Sequence, residues 1–354
     1  MSALHDILLR RIAATGPISI AEYMTECLLH PEHGYYTTRD PLGAAGDFVT
    51  APEISQMFGE LVGLCIAQAW IDQGRPDPFV LAELGPGRGT LMTDLLRATR
   101  AVPGFHAAAR LHLVEVSPAL RAVQAEALPE ARGWHDRLDQ LPEDGPLFLV
   151  ANEFFDALPI RQFLREGAGW RERVIARDGD RLGFGLTAPA PLAELAHRLD
   201  DTSDGDMVET CPALPALAGE IGRRIAAQGG AALVVDYGAA DATGDSFQAV
   251  QGHRKVDPLE APGSADLTAH VDFGALARAA APAACAGPVA QGVFLERLGI
   301  TPRARALARG LEGAALETHV AAHRRLTHPG EMGDLFKVAA LHPRGTPPPP
   351  GMDP

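Results

Sequence analysis

"FVLAELGPGRGT", residues 79–90, closes an apolar run on Glu83 and then places glycines at 85, 87 and 89. A short run of Phe, Val and Leu that stops at glycines reads as a strand buried on both faces, entering a tight turn. The helical pattern "GTLMTDLLRATRA" follows at once, giving strand, glycine loop and helix. In open α/β sheets such a junction meets a nucleotide. A dinucleotide fold carries G-x-G-x-x-G there, with the pyrophosphate at the helix N-terminus. Here Gly85-Pro86-Gly87-Arg88-Gly89 is one residue shorter. Glu83 stands two residues before the first glycine, where a carboxylate repels a pyrophosphate and attracts an ammonium. The loop therefore points to a cationic ligand without phosphate.

Similar runs recur on either side. "RLHLVEV" (110–116), "LFLVAN" (147–152) and "AALVVDYG" (231–238) read as further buried strands. "SPALRAVQAEAL" is a helix with Ser117 as N-cap and Pro118 at the first helical position, and "ALPALAGEIGRRIAAQ" precedes the fourth strand. The repeated βαβ pattern predicts an α/β fold with a parallel sheet. Residues 161–190, with an Asp-Gly turn in "WRERVIARDGDRLGFGL", predict an inserted β-hairpin. "QGVFLERLG" and "GDLFKVAALHP" are expected to supply the last two strands as an antiparallel pair. The end, "HPRGTPPPPGMDP", is expected to be a disordered tail or an extended strap.

Composition limits the function. The chain has 354 residues, 46% of them hydrophobic, enough for one large α/β domain with insertions or for a main domain plus a smaller one. A net charge of -14 with scattered arginines argues against nucleic acid and for a cationic ligand or partner. The four cysteines, Cys27, Cys65, Cys211 and Cys285, lack the paired short spacings of a zinc site or disulfide framework. No metal is expected, and the location is expected to be the reducing cytoplasm. No segment approaches the roughly 20 apolar residues of a membrane span. Asp6, Arg10 and Arg11 break the apolar stretches at the start, so a soluble, unprocessed chain is expected.

The E-x-G-x-G-x-G arrangement of Glu83, Gly85, Gly87 and Gly89 resembles that of class I S-adenosylmethionine-dependent methyltransferases. In these the glycines let the backbone approach the methionine portion, which carries an ammonium and a sulfonium. Glu115, closing "LHLVEV", stands where that fold puts an acid for the ribose hydroxyls; dinucleotide folds use an acid in the same way. "GDFVTAPEISQMFGE" (46–60), "NEFFDALP" (152–159), "VDYG" (235–238), "GHRKVDPLEAPGSADLTAHVDF" (252–273) and "MGDLFKVAA" (332–340) extend the resemblance along nearly the whole chain, in order. Together they look like the MidA-like methyltransferase family.

That resemblance implies a class I, Rossmann-like sheet at 76–341, with insertions at about 161–210 and 239–290, a helical N-terminal region at 1–75 covering the cofactor site, and a tail at 342–354. It implies S-adenosyl-L-methionine as cofactor. For mitochondrial members it implies help in assembling complex I and arginine methylation of a complex I subunit, so a protein substrate is expected. The exposed insertions suit a homodimer. Asn152-Glu153-Phe154-Phe155 looks like a distant variant of the Asn/Asp-Pro-Pro-aromatic motif of amino-group methyltransferases, with both prolines lost.

A guanidinium has a pKa above about 12, so methylating it needs carboxylates that orient the nitrogen and receive its proton. Glu153 and Asp156 are the candidate pair, with Asn152 beside them and Asp236 at the next strand end as a third acid. At least one of Phe154 and Phe155 is expected in the core. Gly46, Asp47, Phe48 and Thr50 are expected to cover the cofactor: glycine for close approach, Asp47 for the ribose or ammonium, Phe48 against the adenine. The plainer reading of that stretch is a structural turn. His270 reads as a hydrogen-bonded structural residue and Asp272 as an N-cap.

Four function classes follow: a protein-arginine methyltransferase, a methyltransferase with another acceptor, an assembly factor that binds the cofactor without catalysis, and an NAD-dependent oxidoreductase. The glycine spacing and Glu83 disfavour the last.

Overall fold

The computed structural model describes residues 2–38 and 49–352. The described residues divide into two units, the larger formed by residues 49–155, 215–240 and 273–352, the smaller by residues 2–38, 156–214 and 241–272.

The larger unit is built on seven strands: β1 (Phe79–Leu84), β2 (Ala109–Val114), β3 (Gly133–His135), β4 (Leu147–Asn152), β5 (Gly230–Ala239), β6 (Ala284–Ala290) and β7 (Phe336–His342). Their order across the sheet is β6-β7-β5-β4-β1-β2-β3. From β3 to β5 neighbouring strands are parallel, whereas β7 runs antiparallel to both β5 and β6. The fold is thus a mixed α/β fold with a central, mostly parallel sheet. β1 is buried along its whole length, as its unbroken apolar pattern requires when both neighbours and both faces are covered. Strand order reverses between β1 and β4, so their carboxyl ends open the crevice where doubly wound sheets bind ligands.

Helices α1 (Gln56–Asp72), α2 (Thr90–Thr99), α3 (Pro118–Ala127) and α4 (Leu214–Gln228) supply most of the helical cover of this sheet. At one end of the core Trp70, Phe79, Phe105 and Phe148 interlock with ring centroids 5.1–5.8 Å apart, and the Trp70 indole donates to the Pro76 carbonyl at 2.9 Å. The sequence signals for α3 are present as read: Ser117 Oγ accepts from the Leu120 N–H, and Pro118 opens the helix.

Two terminal readings change. "QGVFLERLG" is a helix, Gln291–Arg297, which buries Gln291, Gly292, Phe294 and Leu295. A short apolar run fits either period, and here the i, i+3, i+4 spacing wins. The antiparallel partner of β7 is instead "ACAGPVA", whose Gly287-Pro288 dipeptide and register shift between Ala286 and Val289 hide its strand character. Proline is tolerated there because β6 lies at the sheet edge. Residues 343–352 are packed: Cys65 donates to the Pro350 carbonyl at 3.3 Å, Arg297 donates to the Gly351 carbonyl at 3.2 Å, and Met352 joins the core.

The smaller unit combines the helices Ala3–Thr15 and Ile20–Leu29 with two sheets. In one, the expected hairpin appears as Gly169–Asp178 against Arg181–Leu186, turning at Gly179. Ile18–Ser19 and Arg161–Glu166 also pair with Gly169–Asp178, and Met207–Thr210 pairs with Arg161–Glu166. The other sheet has Gln248–Gln251 between Arg254–Val256 and Asp266–Thr268. A capping box between Ser19 and Glu22 starts the second helix. Leu8, Ile20, Tyr23, Met24 and Ile175 lie in this unit's own core. Among the described residues no helix is long and apolar enough to cross a membrane.

Candidate functional site

The site starts at the end of β1. Gly85, Gly87 and Gly89 have φ of 59°, 55° and 80°, all in the left-handed region that costs an L-residue about 1–2 kcal/mol. A Cβ on Gly85 would lie 3.0 Å from the Phe154 ring, and one on Gly89 3.0 Å from Leu128. The loop is pinned by Gly85 N–H donating to Val114 O at 2.9 Å and Gly89 N–H to Pro86 O at 2.7 Å. Gly89 then caps α2, whose Thr93 N–H returns to the Gly89 carbonyl at 2.9 Å.

Two carboxylates flank this loop, both buried and differently served. Glu83 is 3% exposed, and its Oε2 has no hydrogen-bond partner among the described residues. Burial alone pushes its carboxyl up to about 8. A buried carboxylate left in that state invites a cation. Glu115, 8% exposed, is instead well served: Oε1 accepts from Ser117 N–H at 2.8 Å and Oε2 from Gln124 Nε2 at 3.3 Å. Burial raises its pKa, and those hydrogen bonds pull it back. Arg121 donates to the Glu115 carbonyl and to Asp136. Val116, 55% exposed, offers an apolar surface next to the carboxylate.

The third part is the turn after β4. Glu153 has φ of 51°, one of four non-glycine residues with positive φ among those described. Its N–H donates to Val235 O at 2.9 Å, and its Oε1 accepts from Ala51 N–H at 3.0 Å and from Asn152 Nδ2 at 3.2 Å. The Asn152 Oδ1 is buried and has no partner among the described residues. Phe154 lies against Gly85, while Phe155 is 3% exposed and is the core phenylalanine.

Asp236 does not serve as a third acid for an incoming ligand. It is fully buried, with Oδ2 accepting from the Phe154 and Phe155 N–H groups at 3.2 and 3.0 Å and Oδ1 from Tyr237 N–H at 3.1 Å. Its carboxylate holds the turn.

The larger unit thus brings together Glu83, Gly85, Gly87, Gly89, Glu115, Asn152 and Glu153. Thr50 also belongs to it, as N-cap of the short helix Ala51–Ile54, but without a side-chain capping bond. Asp156 falls in the smaller unit, 6% exposed, where its carbonyl accepts from Ala269 N–H at 3.0 Å. Gly46, Asp47 and Phe48 lie outside the described residues. His270 donates its N–H to Ser246 Oγ at 2.8 Å, and Asp272 Oδ1 accepts from Asp241 N–H at 3.0 Å.

Sequence reading missed Glu53, whose Oε1 accepts from the Thr90 hydroxyl at 2.6 Å at the start of α2. It also missed Gln124, although a glutamine between Leu120 and Leu128 on an i, i+4, i+8 stripe was a visible signal. The residues present suit S-adenosyl-L-methionine: a buried carboxylate with one oxygen open for its ammonium, a glycine turn without side chains, and an oriented acid for vicinal hydroxyls.

Comparison with known proteins agrees. Residues 61–289 match the family model described as "Putative S-adenosyl-L-methionine-dependent methyltransferase". The chain is 40% identical over 366 aligned positions to "Protein arginine methyltransferase NDUFAF7, mitochondrial" of Mus musculus, covering 95% of this chain and 83% of that protein. The Homo sapiens protein of the same name is also 40% identical, with 95% and 82% covered. Among solved structures, a COG1565 superfamily member from Burkholderia thailandensis bound to S-adenosyl-homocysteine superposes with a TM-score of 0.81 at 32% identity, over 99% of this chain and 93% of that one. The strand order, the glycine turn with its two acids and these relatives make this chain a member of the S-adenosyl-L-methionine-dependent methyltransferase family.

Proposed function

We propose that the chain methylates a guanidinium nitrogen of an arginine in a protein, with Glu153 as the acid that handles the acceptor. The observation that carries this reading is the backbone at Glu153. A glycine would take φ of 51° without strain, yet a glutamate stands at the strand end, beside the glycine loop. Strain kept at such a point argues that the side chain is needed. The names of the relatives at 40% identity support arginine as acceptor.

When bound, S-adenosyl-L-methionine supplies a methyl group on a sulfonium, open to in-line displacement. Glu83 takes the ammonium, Glu115 the ribose hydroxyls, and Gly85, Gly87 and Gly89 allow the close backbone approach. Glu153 orients the guanidinium and receives the proton lost from the attacking nitrogen. Ala51 N–H and Asn152 Nδ2, both donating to its Oε1, fix the rotamer in which it does so. Asp156, three residues further along the chain, is the second proposed acid. The family resemblance favours a respiratory complex I subunit as the protein acceptor.

The test is transfer of labelled methyl groups to lysate proteins from a strain lacking the gene, followed by mapping of the labelled residues. Glu153→Gln should lower the rate about 100- to 10,000-fold, with S-adenosylhomocysteine affinity within about threefold of the parent. Label on lysine or on a small molecule would sink the arginine assignment. No label above the variant's background would leave a cofactor-binding protein without transferase activity.

A further inference from the structure

The side chain of Gln124 is completely buried on α3, in the apolar stripe with Leu120 and Leu128. Burying an amide costs free energy unless its hydrogen bonds are replaced, and here each end is occupied. Nε2 donates to the Gly87 carbonyl at 2.7 Å and to Glu115 Oε2 at 3.3 Å, while Oε1 accepts from the Trp134 indole N–H at 2.9 Å. A carbonyl and a carboxylate accept only, and an indole N–H donates only. The amide therefore has one satisfied orientation, and Trp134 selects it.

We infer that Gln124 is a positioning residue for the cofactor ribose, tying the Glu115 carboxylate to the glycine loop with its amide direction set by Trp134. This rests on the reading that Glu115 receives the ribose hydroxyls. With Ser117 N–H on Oε1 at 2.8 Å and Gln124 on Oε2, the carboxylate plane is held from both oxygens. The same amide ties that plane to Gly87, so the part of the site that meets the ribose and the part that meets the methionine portion keep a fixed spacing. Core filling alone does not call for glutamine at this position, since methionine has nearly the same shape and no polar atoms to satisfy.

The experiment compares calorimetric binding of S-adenosylhomocysteine with binding of its 2′-deoxyribose analogue to the full chain and three variants. Gln124→Met should weaken S-adenosylhomocysteine about 10- to 100-fold, the worth of a hydrogen bond to a charged group. The analogue should lose far less, so discrimination between the two ligands collapses. Trp134→Phe should move discrimination the same way, by about 3- to 10-fold, and decides the matter if Gln124→Met does not fold. Equal weakening of both ligands, or affinity within about twofold of the parent, would overturn the inference. Glu115→Gln separates the two layers: if it leaves discrimination intact, the ribose reading fails, and if it alone abolishes discrimination, only the role of Gln124 fails.

Discussion

At the end of β1 the backbone passes through left-handed conformations at Gly85, Gly87 and Gly89, and at the end of β4 it does so at Glu153. The first turn uses residues for which that conformation is nearly free. The second carries a glutamate and needs a clamp: Asp236 collects the N–H groups of the next two residues, and Val235 O takes the Glu153 N–H. The buried acids show the same contrast. Glu83 beside the glycine loop has an oxygen without a partner among the described residues, whereas Asp236 beside the Glu153 turn spends its oxygens on backbone. One turn leaves space and a carboxylate oxygen open, which suits its proposed role toward the cofactor. The other is tied down by hydrogen bonds on either side of the proposed acid.

Four substitutions break or sharpen this contrast. Removing the clamp should cost most: Asp236→Ala leaves three backbone N–H groups without their charged acceptor and should lower stability by about 3 kcal/mol or more, read by urea unfolding. A loss under about 1 kcal/mol would mean that the turn holds itself.

Gly85→Ala places a Cβ at 3.0 Å from Phe154 in a left-handed backbone. We expect S-adenosylhomocysteine to bind about tenfold more weakly, from about 1–2 kcal/mol of strain, with binding calorimetry as the check. Unchanged affinity would show that the loop tolerates a side chain.

The Glu83 carboxyl, pushed up to about 8 from 4.5 by burial, gives a pH signature. The unfolded chain loses that proton near 4.5 and the folded chain near 8. Between these values the folded state binds more protons, so the stability of the ligand-free protein should fall as pH rises through the interval and level off above it. An ammonium on Glu83 favours the ionised form, so S-adenosylhomocysteine binding should strengthen with rising pH over the same range, by up to about tenfold per unit. Glu83→Gln should flatten both profiles. A slope that survives in that variant belongs to another group.

The smallest effect on stability should come from Glu153→Gly. Relief of the left-handed strain partly offsets the lost bonds to Ala51 N–H and Asn152 Nδ2, leaving stability within about 2 kcal/mol of the parent, while methyl transfer is lost. A drop well beyond that would make Glu153 mainly a structural tie.

Much of the turn proposed to hold the methyl donor was legible as structure because its signals are local. Glu83, the glycine spacing and the Ser117-Pro118 helix start each follow from neighbouring residues and backbone rules. The turn proposed to meet the acceptor was legible only in part. "NEFFDALP" marked Glu153, but nothing near Asp236 shows that it turns inward to hold residues 154 and 155, which are far away in sequence. Gln124 was hidden differently, as a polar residue inside an apolar stripe whose partners come from the glycine loop, the residue after β2, and β3. The strand at Ala284–Ala290 escaped because an edge tolerates the proline that argues against a strand in sequence.

By itself the sequence determined the parallel α/β sheet, the glycine turn and the preference for a cationic, phosphate-free ligand, since periodicity, glycine conformation and charge act over a few residues. The tertiary structure decided which buried carboxylate stays available and which is consumed. Burial of Glu83 and the backbone partners that Asp236 finds at residues 154 and 155 are set by parts of the chain distant in sequence, and it is those neighbours that separate a carboxylate left open from one that holds backbone.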